Sequence, residues 1–241
     1  MRTKIVALAL TAGASAAMAD QVQLKRDGYA SGTRNVEVTI EGNTGVYVLG
    51  QFNFDVLSST SSEFVAGSTL RTFCVDVRET LKGTDIYNVS PLEIAPEPGG
   101  PMGIDRANAL RKMYTWALDG NVDFGAREDA VAFQLAIWEV VNDFNSGALN
   151  GGLDVDAGDF VADELAGSPT GWRAGVRSTL LDLLAQANTG SIDSRIQVGA
   201  LISDTGGQDQ IYFTVIPLPS SAGLAAAGLI GLAAFRRRRI G

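Results

Sequence analysis

Apolar and polar positions alternate from Arg34 to Ile40, the mark of a strand with one face buried. Gly45 to Val56 is dense in β-branched and aromatic residues. Thr69 to Val77 and Ile86 to Val89 continue the pattern, so the segment 34–90 reads as strands. Pro91 to Gly103, with four prolines and three glycines, reads as a linker. Beyond it the period lengthens. Ala107, Leu110, Tyr114 and Leu118 recur at helical spacing and predict a helix over 104–118, with Asp105 placed to cap its start. Further helices are predicted over 128–144, 160–165 and 173–187, the last carrying Val176, Leu180, Leu183 and Leu184 on one face. Asn145 to Asp159 is a glycine- and asparagine-rich loop. Strands return over 195–202 and 210–215.

The order is therefore β, then α, then β. It fits separate domains, or a β-sandwich or barrel with a helical subdomain inserted over 104–188. Two final strands are too few to fold alone. The insertion is preferred, with the strands of 195–215 completing the sheet begun over 34–90. The expected class is α+β, over a working part of 20–214, and no internal repeat is visible.

Both ends break the pattern. Arg2 and Lys4 precede an apolar run, Ile5 to Ala17, and Ala17-Met18-Ala19 places small side chains where a signal peptidase reads. Residues 1–19 read as a signal peptide cut before Asp20; the run is short for a membrane anchor. At the other end Ala222 to Phe235 is apolar and is followed by Arg236, Arg237, Arg238 and Arg239. As a helix this run reaches about 21 Å, against about 30 Å of hydrocarbon. Val215 to Ser221 would bring it nearer to a full crossing, with the arginines held in the cytoplasm. A permanent anchor is one reading. Against it, Pro217-Leu218-Pro219 keeps the chain extended and accessible just where the helix should start.

The motif of 215–219, the helix of 222–235 and the arginine tail of 236–239 together resemble the PEP-CTERM class of sorting signals. The likeness is to its Val-Pro-Leu-Pro variant, with Ile216 standing between Val215 and Pro217. The resemblance implies an exosortase-type membrane transpeptidase as partner. It also implies transient residence in the inner membrane, and delivery to the surface or extracellular matrix of a Gram-negative bacterium.

Charge and composition narrow the rest. Without the two ends, 13 basic residues face 27 acidic ones, a formal charge of −14. That argues against nucleic acid and anionic lipid as partners, and solubility alone accounts for it. There is no histidine, which removes Ser-His-Asp and Cys-His catalysis and any His-ligated metal. The one cysteine, Cys74, cannot form an internal disulfide; in an oxidising compartment such a thiol is either buried or chemically committed. Asp154, Asp156 and Asp159 have calcium-like spacing but lack the full loop and its terminal glutamate, so they read as a solvated acidic loop. Neither metal nor cofactor is expected.

Two places can carry chemistry. In the strand Phe73-Cys74-Val75-Asp76-Val77, the residues Phe73, Val75 and Val77 point one way. Thr72, Cys74 and Asp76 point the other, so Cys74 lies on the polar face, where a second layer can meet it. In Phe133-Gln134-Leu135-Ala136-Ile137-Trp138, helical spacing puts Gln134 on one stripe with Val131, Leu135, Trp138 and Val141. A buried amide without a partner costs about 1–3 kcal/mol, so Gln134 needs one. Taken separately, these are an inert core thiol and a core glutamine bonded to backbone.

Taken together, the aromatic-Cys-Val strand, the helical subdomain and the Gln-x-x-Ile-Trp helix resemble the thioester domains of bacterial surface adhesins. The resemblance implies a bond between the Cys74 sulfur and the side-chain carbonyl carbon of Gln134, with Phe73, Ile137 and Trp138 completing the motif. An amine-bearing surface protein or matrix polymer would then be captured by single-use acyl transfer, without turnover. Asp76, Tyr114 and Trp138 are placed as possible helpers with no assigned role. Three other functions compete: a non-covalent structural protein of the exopolysaccharide or biofilm matrix, a carbohydrate-binding β-module, and, last, an enzyme with turnover.

Overall fold

The computed structural model describes residues 19–97, 100–163 and 173–216. The expected signal peptide, apart from Ala19, lies outside the described residues. So do Pro217, Leu218, Pro219, the expected helix of 222–235 and Arg236 to Arg239. Among the described residues no helix is long and apolar enough to cross a membrane.

Six antiparallel strands close into a barrel in the order β1-β4-β5-β11-β10-β6. They are β1 (Gln21–Tyr29), β4 (Phe52–Ser59), β5 (Thr69–Cys74), β6 (Thr84–Pro91), β10 (Ile196–Ser203) and β11 (Gln210–Val215). The two final strands lie between β5 and β6 and complete the sheet, so the alternative of a sandwich gives way to a barrel. Closure removes the exposed edges of an open sheet. Period-two burial fills the interior: Val22 and Leu24 from β1, Phe54 and Val56 from β4, Tyr87 from β6.

At the β10–β11 rung, Gly199 stands opposite Tyr212. A Cβ at Gly199 would lie 2.6 Å from the Tyr212 ring, which is buried against Phe64 and tied to Glu63 by its hydroxyl. Gly199→Ala is therefore expected to cost about 1–3 kcal/mol, read as a lower urea midpoint.

A second sheet of three strands, β3-β2-β9, sits beside the barrel. It comprises β2 (Arg34–Ile40), β3 (Asn43–Leu49) and β9 (Phe160–Asp163). The β2–β3 turn is Glu41-Gly42, both at positive φ (48° and 78°), which suits a two-residue hairpin. Val36, Val38 and Ile40 are buried on one face of β2. Among the described residues three α-helices follow the β-rich half: α1 (Gly103–Trp116), α2 (Arg127–Asp143) and α3 (Arg173–Thr189). Every residue of α2 from Ala130 to Val141 is buried, so this helix is enclosed on all sides.

Several expectations need correction. The helix expected over 160–165 is instead β9 across 160–163, which pairs with β2 from Glu37↔Asp163 to Ile40↔Phe160. Six residues are too few to offset the cost of helix nucleation, whereas a waiting strand edge supplies partners at once. Strand β1 lies before the expected β region, because only Val22 and Leu24 mark it while Lys25, Arg26 and Asp27 follow. The run 45–56 is two strands broken at Gly50, where a Cβ would lie 2.6 Å from the Gly32 carbonyl oxygen. The expected linker of 91–103 holds a 3-10 turn at Leu92–Ile94 and a short ladder, β7 (Pro96–Glu97) with β8 (Gly100–Pro101). Asp105 does not cap α1; its carboxylate accepts the Ser146 hydroxyl at 2.8 Å.

Candidate functional site

Strand β5 ends at Cys74, and Thr72, Phe73 and Cys74 are all buried. Phe73 enters an aromatic cluster, with ring centroids 5.0 Å from Phe133 and 5.7 Å from Phe124. Cys74 pairs with Gln210 of β11, and the Val75 N–H donates to the Asp209 carbonyl at 3.0 Å. In an antiparallel ladder that leaves the Cys74 N–H and C=O facing away from β11. On that other side β4 begins at Phe52, opposite Thr72, so the next rung has no strand to fill it.

The side chain of Gln134 fills it. The Cys74 N–H donates to Gln134 Oε1 at 2.9 Å, and Gln134 Nε2 donates to the Cys74 carbonyl at 2.9 Å. The two residues are 60 apart in sequence, and Gln134 is 1% exposed. Its stripe of Val131, Leu135, Trp138 and Val141 is buried as helical spacing predicts. The carboxamide thus satisfies the end of β5 and pins α2 to the barrel.

The sulfur faces a second amide. Gln210 Nε2 donates to Cys74 Sγ at 3.6 Å and to the Gln208 carbonyl at 3.1 Å, while its Oε1 accepts the Thr72 hydroxyl at 2.8 Å. Burial pushes the Cys74 thiol far above its usual range; the Gln210 hydrogen bond and the Arg26 charge pull it back in part, and Asp76 adds to the rise. The resting group is therefore a neutral thiol.

Cys74 and Gln134 form part of the wall of a cavity of about 360 Å³, which Arg26, Tyr29, Tyr47 and Trp138 also line. The Arg26 guanidinium carbon lies 5.0 Å from the centroid of the Tyr29 ring. Trp138 meets Tyr47 and Phe160 edge-on, and its indole N–H has no hydrogen-bond partner among the described residues. Glu79 stands at the same cavity with its carboxyl raised by burial, then by Asp76.

Of the residues singled out in the sequence, Cys74, Gln134 and Trp138 meet at this cavity. Phe73 and Ile137 are packed in the core behind it. Tyr114 belongs to the aromatic cluster, 4.6 Å from Phe133, and does not reach the cavity. Asp76 accepts the Arg78 N–H at 2.7 Å and is likewise not part of the lining. In the acidic loop, Asp156 is held by Arg173 and Arg177. Sequence reasoning missed Gln210 and Arg26, and placed Thr72 on the Cys74 face without a role. The one local sign of Gln210 was a polar triplet, Gln208-Asp209-Gln210, entering an apolar strand.

The Gln134 carboxamide is thus held with its oxygen at the Cys74 N–H and its nitrogen at the Cys74 carbonyl. A sulfur attack would place negative charge on Oε1, and the Cys74 N–H already points there. Gln134 Nε2, the nitrogen that such an attack would expel, lies against the Cys74 carbonyl.

No protein-family model matches this chain, and no curated protein does. Among solved structures it is similar to the N-terminal domain of the Streptococcus pyogenes pilus tip adhesin Cpa. The identity is 14% and the TM-score 0.38, over 75% of this chain and 94% of that one.

Proposed function

We propose that this is an exported surface or matrix protein that attaches covalently to an amine-bearing partner through a thioester between Cys74 and Gln134. The observation that supports it is the seating of the Gln134 carboxamide on the Cys74 backbone, at the wall of a cavity large enough to admit a side chain. In forming the bond, Sγ joins the Gln134 side-chain carbonyl carbon, the C–N bond breaks, and the thiol proton leaves with the nitrogen as ammonia. In capture, a partner amine joins the same carbon, the C–S bond breaks, and a proton from the amine restores the thiol. Proximity and the fixed N–H serve where histidine is absent. Export is by the signal peptide cut before Asp20. Delivery is by an exosortase-type transpeptidase acting at Pro217-Leu218-Pro219, to the surface or matrix of a Gram-negative cell; the captured partner is a surface protein or matrix polymer.

One observation favours a second reading, a non-covalent structural protein of the matrix. The Gln134 amide already has both partners it needs, and the thiol is buried and neutral. Intact mass of the freshly purified soluble domain decides between them. The expected result is a domain lighter than its sequence by one ammonia, to which methylamine adds. Cys74→Ala should carry the full mass of its own sequence. A wild type of full mass, with one thiol titratable in the native state, leaves the structural reading.

A further inference from the structure

Gln210 has no place in the Cys…Gln-x-x-Ile-Trp pattern, yet its Nε2 lies 3.6 Å from the Cys74 sulfur. Resting on the thioester proposed above, we infer that Gln210 is a third residue of the reacting site, a hydrogen-bond donor to the Cys74 sulfur, oriented by Thr72.

The orientation of this amide follows from accounting. Gln210 is fully buried. Its Oε1 accepts the Thr72 hydroxyl, and its two N–H groups face the Gln208 carbonyl and Sγ. Turning the amide over would set Oε1 against the Gln208 carbonyl oxygen, with no proton between the two. Thr72 and Cys74, two apart on β5, present their side chains on one face, and the Cys74↔Gln210 rung brings the amide to that face. The donor is thus fixed before any reaction begins.

Charge develops on the sulfur as its proton leaves in bond formation, and again as the C–S bond breaks in capture. When the bond forms, Sγ gives its electron pair to the Gln134 carbonyl carbon and its proton to the departing nitrogen. When an amine opens the bond, the C–S pair returns to Sγ, which then takes up a proton from the amine. Burial disfavours the thiolate character that develops on either path, and an N–H already aimed at the sulfur stabilises it. The Cys74 N–H serves the oxygen and the Gln210 N–H serves the sulfur, so the two sites of developing charge have separate donors.

The test is the rate at which methylamine opens the bond in freshly purified full domain, followed by intact mass. Gln210→Met fills the space without the donor and should slow opening roughly ten- to hundred-fold. Thr72→Val, which frees the amide to turn, should slow it by a smaller factor, and Thr72→Ser should keep the wild-type rate. A Gln210→Met domain that folds but retains its ammonia supports the inference from the side of bond formation. If that variant does not fold, the Thr72→Val and Thr72→Ser pair decides. A wild type lacking one ammonia, together with unchanged opening in Gln210→Met and Thr72→Val, overturns this inference and leaves the bond standing. A wild type of full mass overturns both.

Discussion

Gln134→Glu should capture no amine at all and should fold best in acid. A thiol does not displace hydroxide from a carboxyl group without activation, so the variant should show the full mass of its own sequence and no gain with methylamine. The substitution also installs the side chain that hydrolysis of the bond would leave at this position, so it stands for the spent protein. Protonated, the carboxyl group keeps both contacts of the amide, its O–H donating to the Cys74 carbonyl and its other oxygen accepting the Cys74 N–H. Ionised, it loses the donor and sets a charge against a carbonyl oxygen in a buried place. Its folded pKa is therefore raised above the unfolded value of about 4.3. The neutral form stabilises the fold fully below that value, and the stability is lost as pH rises toward the folded pKa. A loss on the order of 3 kcal/mol by pH 8 is expected relative to pH 4. Urea midpoints of variant and wild type at the two values measure it. Methylamine uptake by the variant would place the acyl group elsewhere.

The second large effect lies five residues further along the same helix. Glu139 is fully buried, with Oε1 accepting the Asp154 N–H at 2.6 Å and Oε2 unpartnered among the described residues. Burial, then the charge of Asp143, raises its carboxyl from 4.5 to about 8, with Asp154 and Asp156 adding to the rise. A raised carboxyl binds its proton in the folded state after the unfolded chain has released it, so stability falls between about pH 4.5 and 8. The size is on the order of 4 kcal/mol. Glu139→Gln keeps an acceptor for the Asp154 N–H and cannot ionise. It should be the more stable protein at pH 8 and close to wild type at pH 5, with a flatter profile by urea unfolding. The profile should keep some slope, because Asp209 is raised to about 6 by burial and acts with the same sign. Glu128, held down to about 2 by Arg127 and Arg34, acts with the opposite sign only in more acid solution. Parallel profiles for wild type and variant would show that Glu139 carries no charge penalty.

What the sequence disclosed follows from how far each feature reaches along the chain. The Gln134 stripe is written within four turns of one helix, and the alternation around Cys74 within one strand, so both were legible. Their meeting depends on β4 stopping one rung short of Cys74, which no local pattern records. The barrel was half legible. The final strands could be seen to need a sheet, but their place between β5 and β6 is set by pairing across more than a hundred residues. Strand β1 hid because two apolar side chains are all its place in the barrel requires, and β9 because four residues show no period clearly. Gln210 could not be singled out, since its partner on the facing strand is 136 residues away.

The uneven seams of the barrel have a mechanical consequence. Strand β11 pairs with β10 over six positions, from Ile196↔Val215 to Leu201↔Gln210, but with β5 at only two, Gln210↔Cys74 and Ile211↔Phe73. A pull on the chain beyond Val215 enters at the far end of β11 and passes into β10 along the longer seam before it reaches Gln210. On the β5 side only the two pairs nearest Cys74 resist the same pull, so the seam that holds Gln210 against the sulfur is the shorter of the two.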